Sequence, residues 1–251
     1  MKVKMLQGLF LGLAGLSMAS IASASEPSFS VELEAAQVWQ SRNDVRIPGD
    51  GGTRFSLADL TGKGPYPAYR IYFNYNINPR SGLRLLYAPL RLTGTGTLDN
   101  PTRFAGEGFA PDLATEGTYQ FNSYRITYHY LFHDSPAWQW RVGATAKIRD
   151  AEIKLKQGSK TASDDNVGFV PLLYLGGQWQ FAPRWRGLLD VDALGSPQGR
   201  AIDLALKLEH DLSKQWQVSA GYRTVEGGAD NDNVYTFAWF NYAVVSLAYD
   251  F

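Results

Sequence analysis

The feature that most constrains this chain is a strict alternation of side chains along its last stretch, residues 234–251. Val245, Leu247 and Tyr249 place apolar side chains at every second position, and Phe251 ends the series. Successive side chains of a β-strand point to opposite faces of its sheet, so a period of two indicates a strand. The chain is therefore predicted to end in a strand with one continuous apolar face.

The same alternation recurs along the rest of the chain. The strands predicted from it lie at about 29–40, 68–78, 83–87, 118–132, 138–149, 167–181, 185–194, 202–209, 216–223 and 234–251. In most of them the charged residues fall on the face opposite the apolar set. We expect an all-β fold of about ten strands, with eight and twelve as the alternative counts.

Three strands depart from the simple pattern. Proline removes a backbone donor from the ladder, so Pro171 predicts a break or a bulge, and Pro89 raises the same expectation. After residue 148 the apolar set continues one residue out of step, through Ala151, Ile153 and Leu155. This slip indicates either a β-bulge or the point at which the strand leaves the membrane.

Composition narrows the class of protein. The chain has no cysteine, which excludes disulfides and thiolate chemistry, and 24 basic residues balance 24 acidic ones, so no basic face points to nucleic acid. No segment after the N-terminal region offers eighteen uncharged apolar residues, which excludes helical membrane spans. A secreted or periplasmic β-protein and a transmembrane barrel remain.

The N-terminal segment predicts export. Lys2 and Lys4 precede an apolar run at 9–16, and small residues follow up to Ala22-Ser23-Ala24. A charged start, a short apolar core and an A-x-A site are typical of a secretory signal peptide. We expect cleavage after Ala24, so the chain divides into a signal peptide at 1–24 and a barrel domain at 25–251.

Loop lengths and aromatic positions favour the transmembrane barrel. Short turns alternate with longer loops, as in barrels with tight periplasmic turns and longer external loops. Aromatic residues or leucine begin strands after the short turns or end strands at the same rim, where rings suit the interface between water and hydrocarbon: Leu83, Trp138, Trp179, Phe181, Trp185, Trp216, Tyr249 and Phe251. The sequence therefore predicts a single antiparallel transmembrane β-barrel. The apolar set should face lipid, the charged set should face the lumen, and both termini should be periplasmic.

The end of the chain resembles the C-terminal strand of bacterial outer-membrane β-barrels, through the final Phe251, the aromatic Tyr249 and the apolar Leu247. The size resembles that of the small OmpA, OmpX and OmpW barrels. The resemblance implies location in the Gram-negative outer membrane, with these three residues as the signal read by the barrel-assembly machinery. It also implies contact with outer-membrane lipid and lipopolysaccharide, and a monomer.

Residues that would support catalysis or metal binding are sparse. Barrel enzymes of this compartment keep, by resemblance, a histidine with Asp or Ser near the external rim or on the lipid-facing wall. Here His129, His133 and His210 all fall at or near predicted periplasmic turns. The carboxylates at 164–165 and 226–232 lack a full calcium loop and are interpreted as solvated turns. We expect no catalytic residue, no metal, no cofactor and no enzyme activity.

The predicted lumen carries charges at similar heights. The expected charge layer consists of Arg125, Arg141, Asp190, Asp192, Asp203 and Arg223. Long arginines can bridge so narrow a barrel, so we interpret the layer as a brace, with a selectivity filter or a proton path as the alternative. The apolar string at 104–111, in a long loop at 94–117, is interpreted as an ordered loop, with a plug or a recognition tip as alternatives.

The expected function follows from this interpretation. A structural or surface-interaction barrel, its lumen largely filled by ion pairs, is the first hypothesis. A narrow channel or carrier for a small or hydrophobic solute is the second. A lipid-modifying enzyme or protease is a distant third.

The topology can be tested by labelling. Cysteine substitutions at Gly106, Ser163 and Asp230 should react with an impermeant reagent on intact cells, because these sites lie on predicted external loops. Cysteines in the short turns, at Ser81, Ser135 and Ser213, should stay unlabelled. The wild-type chain has no cysteine, so each label reports one site. The inverse labelling pattern would reverse the predicted orientation.

Overall fold

The computed structural model describes residues 28–197 and 199–251, so the predicted signal peptide lies outside the described residues. The elements within them are β1 (Ser28–Arg46), β2 (Phe55–Ser56), α1 (Leu57–Thr61), β3 (Tyr66–Asn78), β4 (Ser81–Ala88), β5 (Arg91–Gly96), β6 (Thr102–Phe104), β7 (Glu107–Phe109), β8 (Thr115–Asp134), β9 (Trp138–Gln157), β10 (Lys160–Ala182), β11 (Trp185–Ser196), β12 (Gly199–Asp211), β13 (Trp216–Asp230) and β14 (Tyr235–Asp250). In this part of the chain, no helix has the length and hydrophobicity needed to cross a bilayer.

The described strands build a closed antiparallel barrel with a wall of ten strands. The wall consists of β1, β3, β4 with its continuation β5, and β8 to β14, each pairing with its neighbour. β14 closes the barrel on β1, from Ser30 opposite Asp250 to Arg46 opposite Tyr235. Closure gives the first and last strands partners for backbone groups that hydrocarbon could not satisfy. The predictions of an all-β fold and of ten strands are confirmed.

Inward and outward faces follow the predicted alternation. Apolar side chains on the outside are exposed, for example Leu33 at 54% and Leu206 at 53%, whereas inward arginines such as Arg125 and Arg223 are buried. A barrel that folds in water would bury its apolar set and expose its charges. The reversed pattern suits a wall that contacts lipid outside and holds its polar groups in the lumen.

The two ends of the barrel differ. The turn end carries four short turns, together with Ser28 and Phe251, and the loop end carries the two longest connections. Aromatic rings cluster at the turn end. Trp138 stacks on Trp179 with ring centroids 5.5 Å apart, and Phe251 lies 5.3 Å from Phe29 across the closing seam. This end therefore has the aromatic girdle expected at a membrane interface, while its periplasmic orientation stays a prediction.

Polarity reverses along β9 without any slip in register. Lys147 points inward, and Ile153 and Leu155 keep the same parity and are also buried inside. The pairings of β9 with β8 and with β10 run without a shift through this region, so the predicted bulge is wrong. The outward residues here are polar, including Glu152 and Lys154. Such a reversal is expected where a wall passes from hydrocarbon into water, the alternative that the sequence left open.

The two long connections fold into the mouth of the barrel at the loop end. The first contains β2 and α1, and the Ser56 hydroxyl caps α1 by accepting a hydrogen bond from the Asp59 N–H at 3.2 Å. The second follows β5 and contains β6 and β7, so both connections carry ordered structure. Phe104 and Phe109 are buried in a core with α1 and the upper strands. The apolar string thus plugs part of the mouth and does not form an exposed tip.

Truncation in this core should destabilise the barrel. Leu155 is fully buried, so Leu155→Ala should lower the free energy of unfolding by about 2–5 kcal/mol through lost burial and a residual cavity. Leu113→Ala makes the same chemical change at a loop residue that is 53% exposed, and it should cost less than about 0.5 kcal/mol. Urea unfolding of the refolded variants measures both. Equal costs would contradict the assignment of a packed core at the loop end.

Candidate functional site

The centre of the lumen holds two aspartates that face each other on neighbouring strands. Asp192 of β11 lies directly opposite Asp203 of β12, and both are buried and point inward. Like charges in this position repel one another. Arg125 reaches across from β8 and bridges them, with Nη1 2.9 Å from Asp192 and Nη2 2.7 Å from Asp203. A planar guanidinium suits this bridge because its donors diverge in fixed directions.

Asp203 also forms ion pairs with arginines of other strands. Arg70 of β3 approaches it at 2.8 Å, and Arg223 of β13 approaches it at 2.5 Å. Arg223 also donates to the Tyr72 hydroxyl at 2.8 Å and lies 3.3 Å from Glu34 of β1. One carboxylate therefore joins three strands of the wall across the lumen.

A lysine completes this network, which we call the ion-pair layer. Lys207 lies 2.5 Å from Glu32 and 2.7 Å from Glu34. The members of the layer are the cations Arg70, Arg125, Lys207 and Arg223 and the carboxylates Glu32, Glu34, Asp192 and Asp203. Four positive charges thus meet four negative ones, so the layer is balanced, as a buried charge cluster must nearly be.

The six residues predicted for the lumen separate into two groups. Arg125, Asp192, Asp203 and Arg223 meet in the ion-pair layer. Asp190 instead pairs with Arg84 of β4 at 2.5 Å, and Arg141 donates to the Gln139 side chain at 3.0 Å.

Sequence reasoning missed half of the layer: Glu32, Glu34, Arg70 and Lys207. All four occupy the polar face of their strands, which the alternation already marks. Their common height depends on the stagger between strands, which no single strand reveals.

The layer lies between two cavities of the described barrel. The lower one, toward the turn end, has a volume of about 340 Å³ and polar walls that include Arg84, His129 and Asp190. The upper one, toward the loop end, has a volume of about 400 Å³. Its floor is formed by Arg125, with Asp192 and Asp203, and its walls are largely apolar. Among the wall residues are Tyr119, Phe121, Val170, Leu172, Leu194, Ala201, Ala238 and Phe240.

The wall beside the upper cavity is incompletely paired. β10 pairs with β11 only as far as Leu173 opposite Ala193. Above that level, residues 160–172 of β10 pair with β9 alone, and residues 194–196 of β11 pair with β12 alone. We call the space between residues 167–172 of β10 and residues 194–196 of β11 the side opening.

Pro171 explains where the ladder stops. The Gln180 N–H donates to the Ala137 carbonyl at 2.9 Å, on the β9 side, so even-numbered residues of β10 bond toward β9. Odd-numbered residues then bond toward β11, and Pro171 has no N–H to offer there. The predicted break lies in the ladder with β11, while β10 runs on unbroken beside β9. Proline ends one ladder and leaves the other intact. Pro89, in contrast, lies at the break between β4 and β5.

The upper cavity reaches through this side opening. Val170 and Leu172 point inward and Phe169 and Pro171 point outward, yet all four line the cavity. Phe169 is 65% exposed and Val167 is 69% exposed, more than most lipid-facing residues of the wall, because no strand covers this edge. The cavity therefore opens sideways, at the level of the outward apolar band of β10.

Other sequence candidates stay apart from this site. His129 is buried in the lower cavity, and His133 and His210 lie at the turn end. Glu226 pairs with Arg200 at 2.5 Å on the outer surface. Within the described ranges, no group of three or more acidic, histidine or cysteine side chains could hold a metal ion.

A closed antiparallel barrel with an apolar outside and a charged lumen is the architecture of a transmembrane β-barrel, and the fold is that of bacterial outer-membrane barrel proteins. The outer-membrane protease OmpT from Escherichia coli has a similar structure, with a TM-score of 0.53 at 9% identity, over 92% of this chain and 99% of that chain. This likeness shows the fold alone.

Weaker similarity extends to two further solved structures. The attachment invasion locus protein Ail of Yersinia pestis has a TM-score of 0.44 at 11% identity, over 90% of this chain and 99% of that chain. The toluene transporter TodX of Pseudomonas putida has a TM-score of 0.35 at 10% identity, over 90% of each chain. No protein-family model and no curated protein matches the chain in sequence.

Opening the ion-pair layer should change both stability and conductance. In planar bilayers the wild-type protein should pass no ions or only small ones. Arg125→Ala combined with Arg223→Ala should raise conductance and lower thermal stability, since removing one partner of a buried pair costs about 3–5 kcal/mol. Arg200→Ala removes an arginine that faces outward, and it should change neither property. A large wild-type conductance that the double variant leaves unchanged would show that the layer does not close the lumen.

Proposed function

We propose that the protein is an outer-membrane barrel that binds a small hydrophobic molecule in its upper cavity and admits it through the side opening. The observation that carries this proposal is the continuity of a largely apolar cavity with a gap in the wall at the lipid-facing level. A hydrophobic molecule dissolved in the bilayer would reach such a site without crossing water. The proposal narrows the second hypothesis, a carrier for a hydrophobic solute, to one cavity and one entrance.

The size and lining of the upper cavity support this proposal. Pockets for small molecules usually measure roughly 300–1,000 Å³ and combine apolar walls with a few polar groups. The upper cavity, at about 400 Å³, has aromatic and aliphatic walls and a charged floor. The ion-pair layer beneath it argues for a binding site with a closed floor, and against an open pore.

A structural role is the second candidate, and the ion-pair layer favours it. Arg125 and Arg70 join opposite walls through Asp203, so the layer would brace the barrel whether or not a ligand binds. The two roles are compatible. A surface-interaction role would use the loop end, whose long connections are folded over the mouth.

The cellular setting is part of the proposal. The fold and the turn-end aromatics support insertion in the Gram-negative outer membrane, in contact with lipid and lipopolysaccharide, as a monomer. Leu247, Tyr249 and Phe251 would serve as the signal for the barrel-assembly machinery. OmpT is a protease, whereas the histidines of this chain lie away from the upper cavity.

Filling the upper cavity should abolish ligand binding. Ala201 lines the cavity, so Ala201→Trp should reduce the binding of a hydrophobic fluorescent probe, N-phenyl-1-naphthylamine, at least tenfold by occupying its space. Ala220 faces lipid on β13, and Ala220→Trp places the same side chain outside the barrel. The measurement is probe fluorescence with protein in nanodiscs, with empty nanodiscs subtracted. Equal binding by wild type and both variants would contradict the proposed site.

A further inference from the structure

Lys147 stands out among the residues that line the upper cavity. It is only 4% exposed and points inward from β9. Among the residues that the structure describes, no carboxylate lies within ion-pair distance of its ammonium group, and no side chain or carbonyl accepts a hydrogen bond from it. Its Nζ lies over the ring of Phe121, 4.6 Å from the ring centroid.

The surrounding charges leave Lys147 uncompensated. The ion-pair layer is balanced without it, since Asp192 and Asp203 are already engaged by arginines. The next inward residue of β9, Arg149, also lines the cavity and donates to the amide oxygen of Asn166, which carries no charge. The third carboxylate of the lining, Glu226, pairs with Arg200 on the outer surface. The cavity therefore has an excess of positive charge.

The side chain of Lys147 is buried, and its ammonium group faces the cavity without an opposite charge, which is unfavourable. Removing a charge from water is costly unless an opposite charge or several hydrogen bonds replace the lost solvation. A cation–π contact with Phe121 returns only about 0.5–2 kcal/mol. A charge placed at such cost, and directed into a cavity of ligand size, suggests a ligand that supplies the missing partner.

We infer that the upper cavity binds a single-chain amphiphile with an anionic head group, such as a fatty-acid carboxylate. The head pairs with Lys147 near the floor, and the tail runs along Phe121 and Leu172 to the side opening. A cavity of about 400 Å³ suits one alkyl chain better than a two-chain lipid. This inference rests on the proposed binding function and names the ligand class for it.

Three probes that share one alkyl tail separate the head-group effect from the tail effect. These are laurate, dodecanol and dodecyltrimethylammonium, whose heads are anionic, neutral and cationic. Each is measured by displacement of N-phenyl-1-naphthylamine from protein in nanodiscs, at a pH of about 6 to 7, above the ordinary pKa of a carboxylic acid and below the range in which an ammonium group loses its proton. Wild type should bind laurate at least tenfold more tightly than dodecanol, because a charge-assisted hydrogen bond contributes about that factor. It should bind the cation most weakly.

Variants at one position locate the effect. Lys147→Met keeps the length of the side chain and removes its charge, so it should abolish the preference for laurate and leave dodecanol binding unchanged. Lys147→Arg should retain the preference. Lys156→Met makes the same charge change at an exposed position of the same strand, and it should have no effect.

The outcomes separate the two proposals. Equal wild-type affinities for laurate and dodecanol, both weakened by Ala201→Trp, would overturn the anionic-ligand inference and leave the binding site standing. A laurate preference that survives Lys147→Met would also overturn the inference. Failure of all three probes to bind would overturn the proposed function and the inference together. If Lys147→Met does not fold, the wild-type order and Lys147→Arg still decide.

Discussion

The need of every backbone N–H and C=O group for a partner governs this structure. Hydrocarbon offers no hydrogen bonds, so a sheet that spans it must close, and β14 closes on β1. The same requirement makes any unpaired stretch of the wall noteworthy. Between β10 and β11 the ladder stops near Pro171, which lacks a donor on that side, and the wall parts beside a cavity. Pro171 thus interrupts the pairing with β11 and leaves the pairing with β9 intact, and the resulting gap forms the entrance of the candidate site.

Closure creates a second problem, which the ion-pair layer solves. A wall that faces lipid outside must place its polar side chains in the lumen, and there charges lose most of their water. Asp192 and Asp203, opposed on neighbouring strands, would repel each other if Arg125 did not bridge them from the far wall. Arg70, Lys207 and Arg223 extend the balance to four charges of each sign. The balanced layer then braces the barrel wall and forms the floor of the upper cavity.

The layer and the folded loops together determine what the lumen can do. Below the layer the cavity is polar, and above it the cavity walls are largely apolar. Phe104 and Phe109 pack with α1 over one side of the mouth, so the apolar space that remains lies toward β10 to β13. Lys147 is the feature that does not fit a purely structural lumen. Its charge has no role in the balance of the layer, which is why the proposed ligand is anionic.

The sequence by itself determined the properties that repeat locally: the strands, their count of ten, and the lipid and lumen faces. Side-chain period and aromatic placement are properties of each strand alone. The tertiary structure decided how heights match across strands, because stagger depends on every pairing around the barrel. Asp190 therefore pairs with Arg84 outside the ion-pair layer. Glu34 belongs to the layer although the sequence did not predict it. The slip at Ile153 and the proline at 171 were visible in sequence. The polarity reversal at Ile153 forms the apolar mouth, and Pro171 ends the pairing of β10 with β11. Both consequences depend on which strands lie on each side, and a single strand does not show this.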